Sequence, residues 1–100
     1  MDPRYALLAA CMMHMEGYYS TKSTAFRNHN PGNIEHTGGA MRVYGTALEG
    51  FQALVDDIVM NAGKKLADFI AKYAPPNENN TSLYLQVVST LSGIGEGEIL

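Results

Sequence analysis

Asp2-Pro3-Arg4-Tyr5-Ala6-Leu7-Leu8-Ala9-Ala10-Cys11-Met12-Met13-His14-Met15-Glu16-Gly17 is the stretch from which the rest of the chain can be placed. Asp2 before Pro3 reads as an N-cap followed by proline at the first helical position, where the missing N–H costs nothing. Tyr5, Leu8, Met12 and Met15 recur at steps of three and four, one face of a helix, and Cys11 widens the stripe. Gly17 closes the helix as a left-handed cap. Glu16 therefore falls at the last turn, where the negative end of the helix dipole disfavours a carboxylate. A local rule broken in this way hints at function. Its neighbours Met15, Tyr18 and Tyr19 would strip water from the carboxyl, raise its pKa and suit it to general acid work. The plain alternative is a solvated glutamate at a helix end.

Outward from that helix, residues 18–46 lose helical period. Asn30-Pro31-Gly32-Asn33 is a turn signal, with Pro second and Gly third as a type II turn wants. Ile34 to His36 and Met41 to Tyr44 read as a small hairpin around Thr37-Gly38-Gly39. A loop this long in so small a chain is usually functional. Asn28, Asn30 and Asn33 offer paired donors and acceptors to sugar hydroxyl and acetamido groups, though amides also build turns on their own backbone.

Thr46-Ala47-Leu48-Glu49 is a capping box. A second helix follows over 47–62, with Phe51, Leu54, Val55, Ile58 and Val59 inward. A third runs over 64–73, with Leu66, Phe69, Ile70 and Tyr73 inward, and Pro75-Pro76 stops it. Asn79-Asn80-Thr81 caps a fourth, which buries Tyr84, Val87, Val88 and Leu91 and ends at Gly93. Residues 94–100 read as the approach to a further helix. The expected fold is mainly α with an α+β flavour: one domain over 1–100, four helices and a loop or hairpin insert after the first.

Composition sets the outer limits. One hundred residues, 46% hydrophobic and 17% charged, describe one globular domain. Seven Lys plus Arg against ten Asp plus Glu, net −3, argue against a nucleic-acid binder held by phosphate. A single cysteine excludes an internal disulfide, and with three scattered His it makes a poor zinc site, so no metal or cofactor is expected. No run reaches the roughly 20 apolar residues of a membrane span. Leu8-Ala9-Ala10-Cys11 has the form of a lipoprotein cleavage box, but only six residues lie between Arg4 and Cys11, and Asp2-Pro3 fits a helix start better than a signal. No nucleophile elbow and no phosphate-cradling glycine loop is visible.

Taken in order, Met-Glu-Gly-Tyr-Tyr (15–19), Arg-Asn-His-Asn-Pro-Gly-Asn-Ile (27–34), Tyr-Gly-Thr-Ala-Leu-Glu-Gly-Phe-Gln-Ala-Leu (44–54) and Tyr-Ala-Pro-Pro-Asn-Glu-Asn-Asn-Thr-Ser-Leu-Tyr (73–84) resemble a family of small lysozyme-like proteins of phages, prophages and bacteria, related to the soluble lytic transglycosylases. The resemblance covers about residues 6–94. It implies a lysozyme-like fold, Glu16 as the catalytic residue, and a cleft lined on its loop side by Asn28, Asn30 and Asn33, with Tyr18, Tyr19 and Tyr84 as further substrate contacts. The partner it implies is the glycan strand of peptidoglycan, at the cell wall or periplasm or in a phage particle, with no cofactor. Two departures stand out: Gly17 follows the glutamate where soluble transglycosylases usually carry Ser, and the family often continues past the point where this chain stops.

The chemistry of that substrate sharpens the expectation. Cleaving the N-acetylmuramic acid–N-acetylglucosamine linkage needs a proton on the leaving oxygen, and simple hydrolysis needs a second carboxylate at a set distance. Glu35 is the candidate for that second group, since Glu49 is occupied in its capping box. Asp56, Asp57 and Glu78 reach the cleft only if the helices fold back on it. A mechanism with one carboxylate, Glu16, is therefore expected, closing a 1,6-anhydro ring. The alternative is a peptidoglycan-binding or virion-associated structural module of the same fold.

Overall fold

The computed structural model describes residues 2–35 and 39–100. It contains five helices, α1 (Pro3–Met15), α2 (Thr24–Arg27), α3 (Ala47–Met60), α4 (Leu66–Tyr73) and α5 (Thr81–Ser92). The chain is mainly α. Four helices match the expected ones to within two residues at each end, and α2, a single turn, lies inside the loop that was read as irregular. Its N-cap is Ser23, whose Oγ accepts from the Phe26 N–H at 3.1 Å. Four residues are too few to show a period, which is why the sequence did not announce it.

The caps are largely those the sequence spells out. Asp2 accepts from the Arg4 N–H at 2.9 Å, Thr46 from Glu49 at 3.2 Å, and Asn80 from Leu83 at 3.2 Å. The capping box differs in one detail: Glu49 reaches back to the N–H of Gly45, not of Thr46.

The core forms where α1 packs on α3 and α5, and α4 packs on α5. Leu8, Met12, Leu54, Ile58, Leu66, Ile70 and Val88 are fully enclosed there. Cys11 is buried in the same face of α1, beside Leu8 and Ala9. Two expected core residues are not in it: Val59 is 46% and Leu91 56% exposed. A helical stripe says which face points inward, but not how far along it a neighbour extends.

Residues 94–100 are not helical. They run back along the start of α4, with Lys65 and Ile99 in an antiparallel bridge. α4 has no side-chain cap at Lys65. Instead, the Glu98 and Glu96 carbonyls accept from the Leu66 and Ala67 N–H groups, both at 2.9 Å. These are donors that a helix start leaves unsatisfied. Leu100 closes the strap with its side chain buried. Leu100→Ala is expected to lower unfolding free energy by about 2 kcal/mol, the low end of the range for a buried leucine. Chemical denaturation checks it, and an unchanged midpoint would show that the tail is only laid on the surface.

The expected hairpin lies partly outside the described residues, which omit 36–38. Among those described, a single antiparallel bridge joins Glu35 to Met41, and the Arg42 N–H donates to the Ile34 carbonyl at 2.9 Å.

Candidate active site

Glu16 is the C-cap of α1, and the chain turns immediately after it because Gly17 takes φ +79°, a conformation that glycine adopts without a Cβ penalty. The turn leaves the Glu16 side chain half-buried in the lining of a cleft of about 570 Å³. Two other segments hold it there. Asn33 Nδ2 donates to Glu16 Oε1 and to the Glu16 carbonyl, each at 3.0 Å. The Tyr84 hydroxyl, from α5, donates to Glu16 Oε2 at 2.7 Å. Both carboxyl oxygens are thus fixed from opposite sides of the cleft wall.

Tyr84 is buried, and its single hydroxyl is spent on Glu16. Burial first, and then the Glu16 carboxylate beside it, push the phenol far above its ordinary range. It therefore stays a protonated donor at any working pH. Tyr84 is not among the residues that line the cleft; its hydroxyl meets the Glu16 carboxyl. Tyr73 lines the cleft and holds the loop beside Asn33. Its hydroxyl donates to the Gly32 carbonyl, and burial followed by Glu16 and Asp57 raises its pKa.

The loop that carries Asn33 is built by Asn30. That side chain is fully buried, its Nδ2 donating to the Ile34 and Arg42 carbonyls and its Oδ1 accepting from the Ile34 N–H, all at 2.9 Å. Its amide is thus spent inside the loop, and Asn30 is not among the residues that line the cleft. Nor does the loop make the expected type II turn. Asn33, at φ +49°, takes the left-handed position, and Gly32 does not. Glycine stands at 32 for room, since a Cβ there would lie 2.6 Å from the Tyr73 hydroxyl and 2.9 Å from a Leu54 methyl.

Three further expected contacts fall away from the cleft. Asn28 caps α2 and its carbonyl accepts from the Tyr44 N–H at 2.9 Å. Tyr18 packs against Phe26 and Tyr19, with ring centroids 5.7 and 6.0 Å apart. Tyr19 turns its hydroxyl to the Ala10 carbonyl at 3.0 Å, on the flank of α1. Glycine at 17 reverses the chain, so the two residues after it leave the side that Glu16 faces.

Glu35 does line the cleft, exposed at its rim. So do Asp57 and Glu78, which the sequence offered only if the helices fold back, and residues it did not assign: Asn61 just past α3, Lys72 and Tyr73 from α4, and Asn79 from the link to α5. Asp56 does not, its carboxylate taking the Gln52 amide at 2.8 Å on the outer face of α3. Asp56 and Asp57 both stand between Leu54-Val55 and Ile58 of α3's buried stripe, so the sequence does not tell which of the two faces the cleft.

The arrangement presents one half-buried carboxyl, fixed at both oxygens, to an open groove with polar walls. Such a group can give a proton to, or take one from, a ligand lying in the groove. Among the described residues no cluster of His, Cys, Asp and Glu could hold a metal ion, and no helix is long and apolar enough to cross a membrane. No protein-family model, characterised protein or solved structure matches the chain.

Proposed function

We propose that the protein is a lysozyme-like glycosidase that cleaves the N-acetylmuramic acid–N-acetylglucosamine linkage of peptidoglycan, acting as a lytic transglycosylase with Glu16 as its one catalytic residue. The observation that carries this reading is the clamp on Glu16: a carboxyl at the end of the first long helix, held at Oε1 by Asn33 and at Oε2 by Tyr84 and facing a groove. Catalytic geometry demands that kind of fixation. The order of motifs along the chain supplies the choice of substrate.

In the first step Glu16 donates its proton to the leaving glycosidic oxygen as the bond from muramic C1 to that oxygen breaks. The substrate's own acetamido group helps to stabilise the cationic centre. In the second step the muramic O6 attacks C1 while its proton returns to Glu16, closing the 1,6-anhydro ring and restoring the acid. No water is consumed. Scarcity of carboxylates no longer supports ring closure, because Glu35, Asp57 and Glu78 share the cleft. What supports it is that Glu16 is the carboxylate fixed at both oxygens, whereas Glu35 is exposed at the rim.

Mass spectrometry of digested cell walls tests this. The expected muropeptides end in 1,6-anhydromuramic acid, one water lighter than hydrolytic products. A digest dominated by reducing ends would overturn the ring-closing step and make Glu35→Gln the next variant to assay. Failure to cleave, with retained binding to wall glycan, would leave a binding module.

Tyr84→Phe is expected to lower kcat about tenfold with KM unchanged, since the ring still fills its place and one charge-assisted hydrogen bond is lost. Steady-state wall lysis beside a melting curve separates the roles. A lower melting temperature at unchanged kcat would make Tyr84 merely structural.

A further inference from the structure

Asn33 holds Glu16 only as long as the backbone that carries it stays in place. The peptide unit between Gly32 and Asn33 is pinned at both of its polar ends. Its N–H, that of Asn33, donates to the Asn30 carbonyl at 3.0 Å, and its carbonyl, that of Gly32, accepts from the Tyr73 hydroxyl. Asn33 itself takes φ +49°, a left-handed conformation that asparagine tolerates better than most residues. From that conformation its Nδ2 reaches both Glu16 Oε1 and the Glu16 carbonyl.

The two pins differ in origin. The Asn30 carbonyl belongs to the same short loop, whereas Tyr73 comes from α4, 41 residues on from Gly32. The Tyr73 ring packs on Phe69 of the same helix, with centroids 5.7 Å apart, so α4 sets where the hydroxyl stands. Gly32 is buried and has no side chain to anchor the peptide, which leaves its backbone free to swing once the carbonyl is released. A buried carbonyl that loses its donor is unfavourable, and turning the peptide to find another partner rotates Asn33.

We propose that Tyr73 is a positioning residue for the Glu16 carboxyl, acting through the Gly32 carbonyl and Asn33. Its hydroxyl fixes the peptide whose next residue grips Oε1. The pair α4 and α5 then governs both oxygens of the carboxyl: Tyr73, at the end of α4, by way of Asn33, and Tyr84, on α5, directly. The inference rests on the reading of Glu16 as the catalytic residue and adds one that the apolar stripe of α4 would assign to packing alone.

Heteronuclear NMR spectra of the full chain read the Asn33 side-chain amide without turnover, its pair of signals being the one that Asn33→Ala removes. Tyr73→Phe keeps the ring and removes only the hydroxyl. It is expected to shift that pair of signals and hasten exchange of the amide protons with water. It is also expected to lower kcat for wall cleavage about fivefold with KM unchanged, the worth of one neutral hydrogen bond. Added to Asn33→Ala, it should cost nothing further, because the group it steers is gone. Asn33 signals that stay where they are, or losses in kcat that multiply in the double variant, overturn the inference. So does a lower melting temperature with both readouts unmoved, which would make Tyr73 a packing residue. A wild type that cleaves no wall overturns the glycosidase reading instead, and the Asn33 signals then decide this inference by themselves.

Discussion

Glu16→Gln is expected to abolish wall cleavage while leaving the fold intact. Glutamine keeps the length and shape of the side chain, and its amide oxygen still accepts from Asn33 at the Oε1 position. At the other position an NH2 group faces Tyr84, whose hydroxyl turns from donor to acceptor without moving. The clamp survives, but the residue has no proton to give to a departing oxygen. Removal of general acid–base catalysis costs about 10² to 10⁴ in rate. Zymography on purified walls, with wild type and variant side by side, reads this directly, and a melting curve checks the fold. Lysis at the wild-type rate would remove Glu16 from the mechanism and with it the reading of the cleft as an active site.

Gly50→Ala is expected to be the most damaging small substitution in the chain. A Cβ at 50 would lie 1.8 Å from the His29 carbonyl oxygen and 2.7 Å from Pro31 Cδ. Neither neighbour is the free end of a flexible side chain. Either α3 withdraws from the core or the 28–34 loop lifts from α3. Overpacking costs about 1 to 3 kcal/mol, and a contact with backbone belongs at or beyond the upper end. Lifting the loop also carries Asn33 off Glu16, so activity should fall further than stability does. The matched control is Gly97→Ala, where a Cβ meets nothing within 4 Å. Thermal denaturation and lysis of both variants decide the matter. A Gly50→Ala protein as stable as the control would mean that loop and helix are not seated on each other.

That contact explains a pairing of motifs that the sequence shows without accounting for. Asn28 to Asn33 and Thr46 to Phe51 look like separate features, a polar turn and a capped helix start. In the folded chain the missing side chain of Gly50 is the seat on which the turn rests, and Gly32 leaves room for Tyr73 and Leu54 on its other side. Gly32, which reads as turn punctuation, and Gly50, which reads as part of a helix start, are both close-approach positions.

The sequence by itself determined the helices, their caps and most of the core, because those depend on interactions within a few residues: a 3.6-residue period, an oxygen three residues before an orphan N–H, a glycine that reverses the chain. It also singled out Glu16, through a carboxylate placed against the helix dipole. Only the tertiary structure decided what surrounds that carboxylate. Tyr84 lies 68 residues from Glu16 and Asn33 lies 17 away, and no local pattern ties either to it. The same limit hid Asp57 and Lys72, each an ordinary charged residue on its own helix until α3 and α4 line one groove. Nor could the sequence tell that the Asn30 amide and the Tyr19 hydroxyl meet the chain's own backbone while Tyr18 packs against Phe26, since their polar groups suit a sugar equally well. Residue type states what a side chain can bond to; which partner it meets depends on the packing of helices far apart in the chain.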